Sequence, residues 1–314
     1  MKRYIVLENG KIFEGEAFGA DGKAIGETVF STGVVGFTET LTDPSYYGQI
    51  VVQTFPTIGN YGIMYDDMES DKVWPEAYVV REYCKAPSNF RMDTDVDSFL
   101  KKYGTVGVCG VDTRALTRII RESGVMNAVV TDDPRSVDFK KLSEYRIVNA
   151  VQAVTESKKE IYLPEGEPVC KVALYDYGAK RNIIRSLLKR GCAVTSYPAF
   201  TPAEEVLKDD PDGIMLSNGP GDPAENKEII AIVRDLLGKK PLFGICLGHQ
   251  LTALATGGKT VKLKYGHRGG NQPVKDIESG RTVITSQNHG YAVDGASLKA
   301  GKVSHINVND NTCE

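Results

Sequence analysis

No run in this 314-residue chain is apolar for long enough to cross a bilayer, and no block of basic residues is present. Lysine and arginine number 38 against 41 aspartate and glutamate, a formal charge of −3. Neither a nucleic-acid partner nor a membrane surface is therefore expected. Histidine is scarce, with His249, His267, His289 and His305 the only four. The six cysteines (Cys84, Cys109, Cys170, Cys192, Cys246 and Cys313) are scattered and form no C-x-x-C pair. That spacing excludes a zinc ribbon, and in a chain of this length it reads as free thiols in a reducing compartment. MKRYIVLENG at the start turns polar after Ile5, Val6 and Leu7, too soon for a signal-peptide core, so a cytoplasmic protein is expected. Phosphate-binding glycine patterns are lacking too: there is neither G-x-x-x-x-G-K-[ST] nor G-x-G-x-x-G.

What is present falls into two halves, as the length suggests. Residues 1–150 begin strand-rich, with frequent glycines and β-branched residues, the pattern of strands joined by turns. Two helices are expected there, near Val96–Tyr103 and across DTRALTRIIRESG, where Leu116, Ile119 and Ile120 recur at helical spacing and Gly124 follows as a stop. The arginines of the second helix, Arg114, Arg118 and Arg121, read as its solvated face. Residues 151–168 turn polar and aperiodic and read as a linker.

From Val169 the pattern alternates. VALYDY, CAVTSYP, GIMLSNG and PLFGI read as strands, and GAKRNIIRSLLKRG, TPAEEVL and ENKEIIAIVRDLLG as the helices between them. In TPAEEVL a capping box is expected, with Thr201 at the cap, Pro202 first inside and Glu204 following. Strands alternating with helices imply parallel βαβ units and a doubly wound sheet, whose ligands bind at the carboxyl ends of the strands. Cys246 and the loop SNGPGDP both fall at such ends.

GICLGHQ, residues 244–250, has the shape of a nucleophile elbow, the strand–turn–helix corner that lifts one side chain above a sheet. Glycines on either side keep Cβ atoms out of the crossing, and a helix N-terminus favours thiolate. The Leu247 N–H would face an oxyanion formed on an attacked carbonyl. The plainer alternative is that Cys246 is a small buried hydrophobe. Asn218-Gly219-Pro220-Gly221-Asp222-Pro223 would free backbone N–H groups for a ligand, or is simply a tight turn. His249 lies on the helix behind the thiol and is poorly aimed as its base; His267 and His289 are expected on turns, and His305 in the strand-like run KVSHINV.

GICLGHQ together with NGPGDP resembles the class I glutamine amidotransferases. LTDPSYYGQIV, FPTIGNYG, GVDTRALTRIIRESG, YDYGAKRNIIRSLLKRGC, GHRGGNQPVKD and SQNHGYAVD resemble the glutamine-hydrolysing small subunits of carbamoyl-phosphate synthases, from near residue 1 to about residue 308. The resemblance implies a strand-rich α/β domain over 1–150, followed over 169–314 by a flavodoxin-like amidotransferase domain with a mostly parallel central sheet. It implies that Cys246 attacks the glutamine amide, that ammonia passes to a large subunit, and that the carbamoyl phosphate serves arginine or pyrimidine synthesis. By motif, Ser45, Gly219, Gly221, Leu247, Gln250, Asn288, Gly290 and Tyr291 bind glutamine. The chain itself would hold no metal or cofactor, ATP and magnesium being expected on the large subunit. In that family the catalytic histidine and glutamate come as H-P-E, which does not occur here. The expectation is of an amidotransferase domain truncated at its C-terminal end. A non-catalytic scaffold for the large subunit, or an unrelated cysteine hydrolase on the same fold, are the alternatives.

Overall fold

A computed structural model describes all of residues 1–314. It divides into two compact units, one of Met1–Val148 with His267–Asn271, the other of Asn149–Gly266 with Gln272–Glu314.

The first unit carries β1 (Lys2–Leu7), β2 (Ile12–Gly19), β3 (Ala24–Ser31), β4 (Gln49–Gln53), β5 (Thr57–Ile58), β6 (Ala77–Val79), β7 (Glu82–Tyr83), β8 (Val106–Cys109) and β9 (Met126–Thr131). Its helices are α1 (Phe37–Thr42), α2 (Val96–Lys102), α3 (Thr113–Ser123) and α4 (Phe139–Glu144). Seven of the strands close a barrel in the order β1-β2-β8-β6-β4-β3-β9, which removes the open edges a flat sheet would leave. The glycines serve the closure. Gly107 faces Phe18 across the β2–β8 ladder, and a Cβ there would lie 2.6 Å from the ring. Both helices expected from the sequence form. Leu116 and Ile120 of α3 are buried, and Arg114, Arg118 and Arg121 are exposed, as an amphipathic helix on a barrel requires.

Arg3 is the largest fully buried side chain in the molecule. Its Nε and Nη2 donate to the two carboxylate oxygens of Asp132 at 2.7 and 3.2 Å, and Nη1 donates to the carbonyls of Ala20 at 2.9 Å and Gly107 at 3.1 Å. One guanidinium thus ties β1 to β8 and to the turns after β2 and β9. A buried cation is tolerable only with this degree of pairing.

The second unit holds α5 (Ala150–Val154), β10 (Glu160–Tyr162), β11 (Cys170–Asp176), α6 (Arg181–Leu188), β12 (Cys192–Pro198), α7 (Ala203–Lys208), β13 (Gly213–Leu216), α8 (Lys227–Leu236), β14 (Leu242–Gly244) and α9 (Leu247–Ala255). It is completed by β15 (Thr260–Asp276), whose middle belongs to the first unit, β16 (Thr282–Val293) and β17 (His305–Asn307). The main sheet runs β10-β12-β11-β13-β14, parallel except at β10, as the alternating strand and helix pattern implies. Side chains alternate between its faces. Ala173 and Tyr175 of β11 pack with α7, α8 and α9, whereas Leu174 joins Ile184 of α6 on the other face. Burial on both faces explains the apolar run Val172–Tyr175 at the centre of β11, whereas the edge strand β14 leaves Phe243 exposed. A second sheet runs β16-β15-β17.

Three local expectations are corrected. The polar stretch after Ala150 is not structureless: α5 occupies its start, and β10 pairs antiparallel with β12. Thr201 forms no cap, because its hydroxyl donates to Pro198 O at 2.9 Å and Pro202 takes the N-cap position of α7. His267 and His289 sit inside β15 and β16 rather than on turns. The glycines beside them suggested turns, but ladder pairing overrides that weak preference.

Replacing Arg3 by alanine would leave the partly buried Asp132 carboxylate and three carbonyls, those of Phe18, Ala20 and Gly107, without this donor. The expected cost is about 3 kcal/mol, read as a lower midpoint in urea unfolding.

Candidate active site

β14 reaches the carboxyl edge of the main sheet and stops at Gly244. Ile245 N–H still donates to Leu216 O at 2.9 Å, so the chain remains bound to β13 for one more residue. It then turns through Cys246 into α9. Cys246 has φ +51° and ψ −104°, a conformation costly for any residue with a side chain.

The corner is possible only because the backbones touch. A Cβ on Gly244 would lie 2.5 Å from the Gly248 carbonyl carbon, and one on Gly248 would lie 2.4 Å from Leu216 O. The Gly248 N–H donates to Ser217 O at 3.0 Å, fastening the first turn of α9 onto the end of β13. Gly219 is under the same constraint, since its Cβ would be 2.2 Å from Tyr177 O and 2.7 Å from the Leu247 side chain.

The neighbouring loops are cross-tied beside this corner. Asn218, almost fully buried, accepts from Lys180 N–H at 3.0 Å and donates to Gly178 O at 2.9 Å. Ser217 Oγ accepts from Tyr177 N–H at 2.9 Å and donates to Asn218 O at 2.8 Å. Asp176 Oδ1 accepts from both Gly178 N–H and Ala179 N–H. The loops after β11 and β13 are therefore rigid, and Gly221, at φ +88°, turns the second of them beside α5. The Leu247 N–H belongs to the first turn of α9, where no earlier helical carbonyl accepts it.

Across from the corner lies β16. Cys246 Sγ is 3.6 Å from Asn288 O, a weak S–H···O contact. Gln250 Nε2 donates to Tyr291 O at 2.7 Å. His289 Nδ1 is 2.8 Å from the same carbonyl, so Nδ1 carries the proton. Nε2 of His289 faces Gln287 Oε1 at 3.2 Å and the Glu314 carboxylate at 3.6 Å. His249, half-buried, has its pKa pushed down chiefly by burial, against which the Glu314 carboxylate acts weakly.

Cys246, Gln250 and Tyr291 line one pocket, together with Gly244, His249, His289, Cys313 and Glu314. Of the other residues singled out by the sequence, Asn288 touches the thiol through its carbonyl, and Gly290 lies between His289 and Tyr291 in β16. Leu247, Gly219 and Gly221 stand at the corner and its loops. Ser45 belongs to the first unit, buried in the turn Pro44–Tyr46 with its N–H on Asp43 Oδ1 at 2.9 Å. Cys313 and Glu314 were not foreseen at the pocket. They reach it through bridges from Cys313 to Val293 and Ile306, and the aperiodic stretch NDNTCE gives no sign of such pairing.

Residues 5–130 match the family model for the carbamoyl-phosphate synthase small chain, CPSase domain, and residues 173–314 match that for glutamine amidotransferase class-I. The carbamoyl phosphate synthase small chain of Syntrophotalea carbinolica is 48% identical over 332 residues, covering 100% of this chain and 88% of that protein. That of Archaeoglobus fulgidus is 49% identical over 318 residues, covering 100% and 89%. The pyrimidine-specific small chain of Bacillus subtilis is 48% identical over 317 residues, covering 100% and 86%.

Gly248→Ala forces a methyl group into the β13 backbone and is expected to cost about 2–3 kcal/mol. Gly270→Ala, whose Cβ would meet open space, is the control and should change stability by less than about 0.5 kcal/mol. Urea unfolding of both variants checks this.

Proposed function

Because this chain belongs to the carbamoyl phosphate synthase small-chain family, we propose that Cys246 is the nucleophile with which it hydrolyses glutamine. Its amidotransferase domain supplies the glutaminase half of carbamoyl phosphate synthesis. The observation that carries the assignment to Cys246 is its backbone, held at positive φ on a corner built from glycines at the carboxyl edge of a parallel sheet.

The chemistry follows from that placement. The helix dipole of α9 favours the thiolate. Its sulfur attacks the side-chain amide carbon of glutamine, and the tetrahedral oxyanion is met by the N–H of Leu247 and those of the Gly219 loop. Collapse expels ammonia, the amide nitrogen taking up through water the proton that the Cys246 thiol gave up on ionising, and a glutamyl thioester remains on Cys246. Water then attacks the thioester, releasing glutamate and restoring the thiol. The ties that rigidify the loops after β11 and β13 let these donors act without reorganising during the reaction.

Ser45, Gly219, Gly221, Gln250, Asn288, Gly290 and Tyr291 are assigned to glutamine. Gln250 supports this, since its amide is fixed on Tyr291 O and is thereby oriented along the wall of the pocket. The ammonia is passed to a large subunit, which holds magnesium and consumes ATP and bicarbonate, in the cytoplasm. Within this chain no helix is long and apolar enough to cross a membrane.

The test is ammonia release from glutamine by the chain paired with its large subunit. Cys246→Ser should lower that rate by about 10³-fold or more while carbamoyl phosphate synthesis from added ammonium continues. An unchanged rate of glutamine hydrolysis in the variant would contradict the assignment.

A further inference from the structure

A pair of thiols lies at the other end of the main sheet. β11 begins at Cys170 and β12 at Cys192, and the two residues are direct partners in the parallel ladder. Their sulfurs are 3.4 Å apart. The strands run seven residues from Cys170 to Asp176, so about 20 Å separates this pair from the carboxyl edge where Cys246 stands.

We propose that Cys170 and Cys192 form a dithiol site that reacts with low-molecular-weight disulfides and closes to a reversible cross-strand disulfide. Three features of the site support this. Partnered residues on neighbouring strands stand about 4.8 Å apart, inside the Cα separation a disulfide spans, so only side-chain rotation is needed. The backbone on both sides is already fixed, by Val169 N–H on Gly191 O at 2.9 Å and Lys171 N–H on Asp212 Oδ2 at 2.8 Å. The two thiols also differ in access: Cys170 is half-buried, whereas Cys192 is buried beneath Leu174, Ile184 and Val194. Burial pushes the Cys192 thiol up, and the adjacent Cys170 sulfur adds to the effect.

That asymmetry sets the order of events. The Cys170 thiolate attacks one sulfur of a disulfide RSSR, forming a mixed disulfide and expelling RS⁻. Cys192 then attacks the Cys170 sulfur, and the S–S bond to the second R breaks, expelling another RS⁻. The two protein thiols lose two electrons, which reduce RSSR. The two protons they release convert both RS⁻ into RSH.

The experiment incubates the reduced, folded full chain with oxidised glutathione, quenches it by alkylation and maps tryptic peptides. Lys171 and Lys180 ensure that the two cysteines fall on separate peptides. The expected product is a cross-linked pair of peptides joining Cys170 to Cys192, reversed by dithiothreitol. Its yield should fall about tenfold or more when the chain is first unfolded in guanidinium, because the effective concentration of the partner thiol is lost. Cys192→Ala should trap glutathione on Cys170. Recovery of both thiols alkylated, glutathione held on wild-type Cys170 without closure, or equal cross-linking in guanidinium would each overturn the proposal.

Discussion

The crossing of β14 and α9 over the end of β13 is the constraint on which the active corner depends. Three backbones meet there at separations that exclude even one methyl group, at Gly244, Gly248 and Gly219. The contact forces the chain through positive φ at the residue between strand and helix, and that residue is Cys246. Two consequences follow from one packing event. The thiol is lifted clear of the sheet, and the first N–H groups of α9 gather beside it. The strain at Cys246 is sustained by ladder and helix bonds on either side, from Ile245 N–H to Leu216 O and from Gln250 N–H to Cys246 O.

Around this corner the sheet serves as a frame. Its interior strands are held on both faces by separate clusters, Tyr175, Leu216 and Ile229 on one side and Leu174, Ile184 and Val194 on the other. The loops at the carboxyl edge inherit that rigidity through buried polar ties at Asp176, Ser217 and Asn218. Such ties must be complete to be stabilising, and here each side chain has a backbone partner. The barrel unit uses the same device in the Arg3–Asp132 pair with its ring of carbonyls, and again at Asn127, whose Nδ2 donates to Leu142 O.

Much of this architecture was legible in the sequence, for identifiable reasons. Periodicity placed α3 and α8, and the alternation of apolar strands with helices implied the parallel sheet that β11 to β14 form. The glycines around Cys246 pointed to the corner because no other residue fits such a contact. Other features depended on partners distant in the chain. Closure of the barrel requires β1 to find β9, more than a hundred residues away, and local composition carries no trace of that pairing. The strand positions of His267 and His289 were missed because a long β-ladder outweighs the turn preference of nearby glycines. Thr201 failed as a cap because its hydroxyl found the Pro198 carbonyl first. Cys313 and Glu314 joined the pocket through isolated bridges that no periodic pattern announces.

The central claim is that one of six cysteines is activated by its corner and aligned with glutamine. Its most direct test is covalent labelling by a chloroketone analogue of glutamine, with the modified residue located by peptide mass analysis. The account predicts that Cys246 is labelled first, and that glutamine in the solution slows the labelling. Modification spread evenly over the cysteines, or labelling of Cys246 that glutamine leaves unaffected, would contradict it.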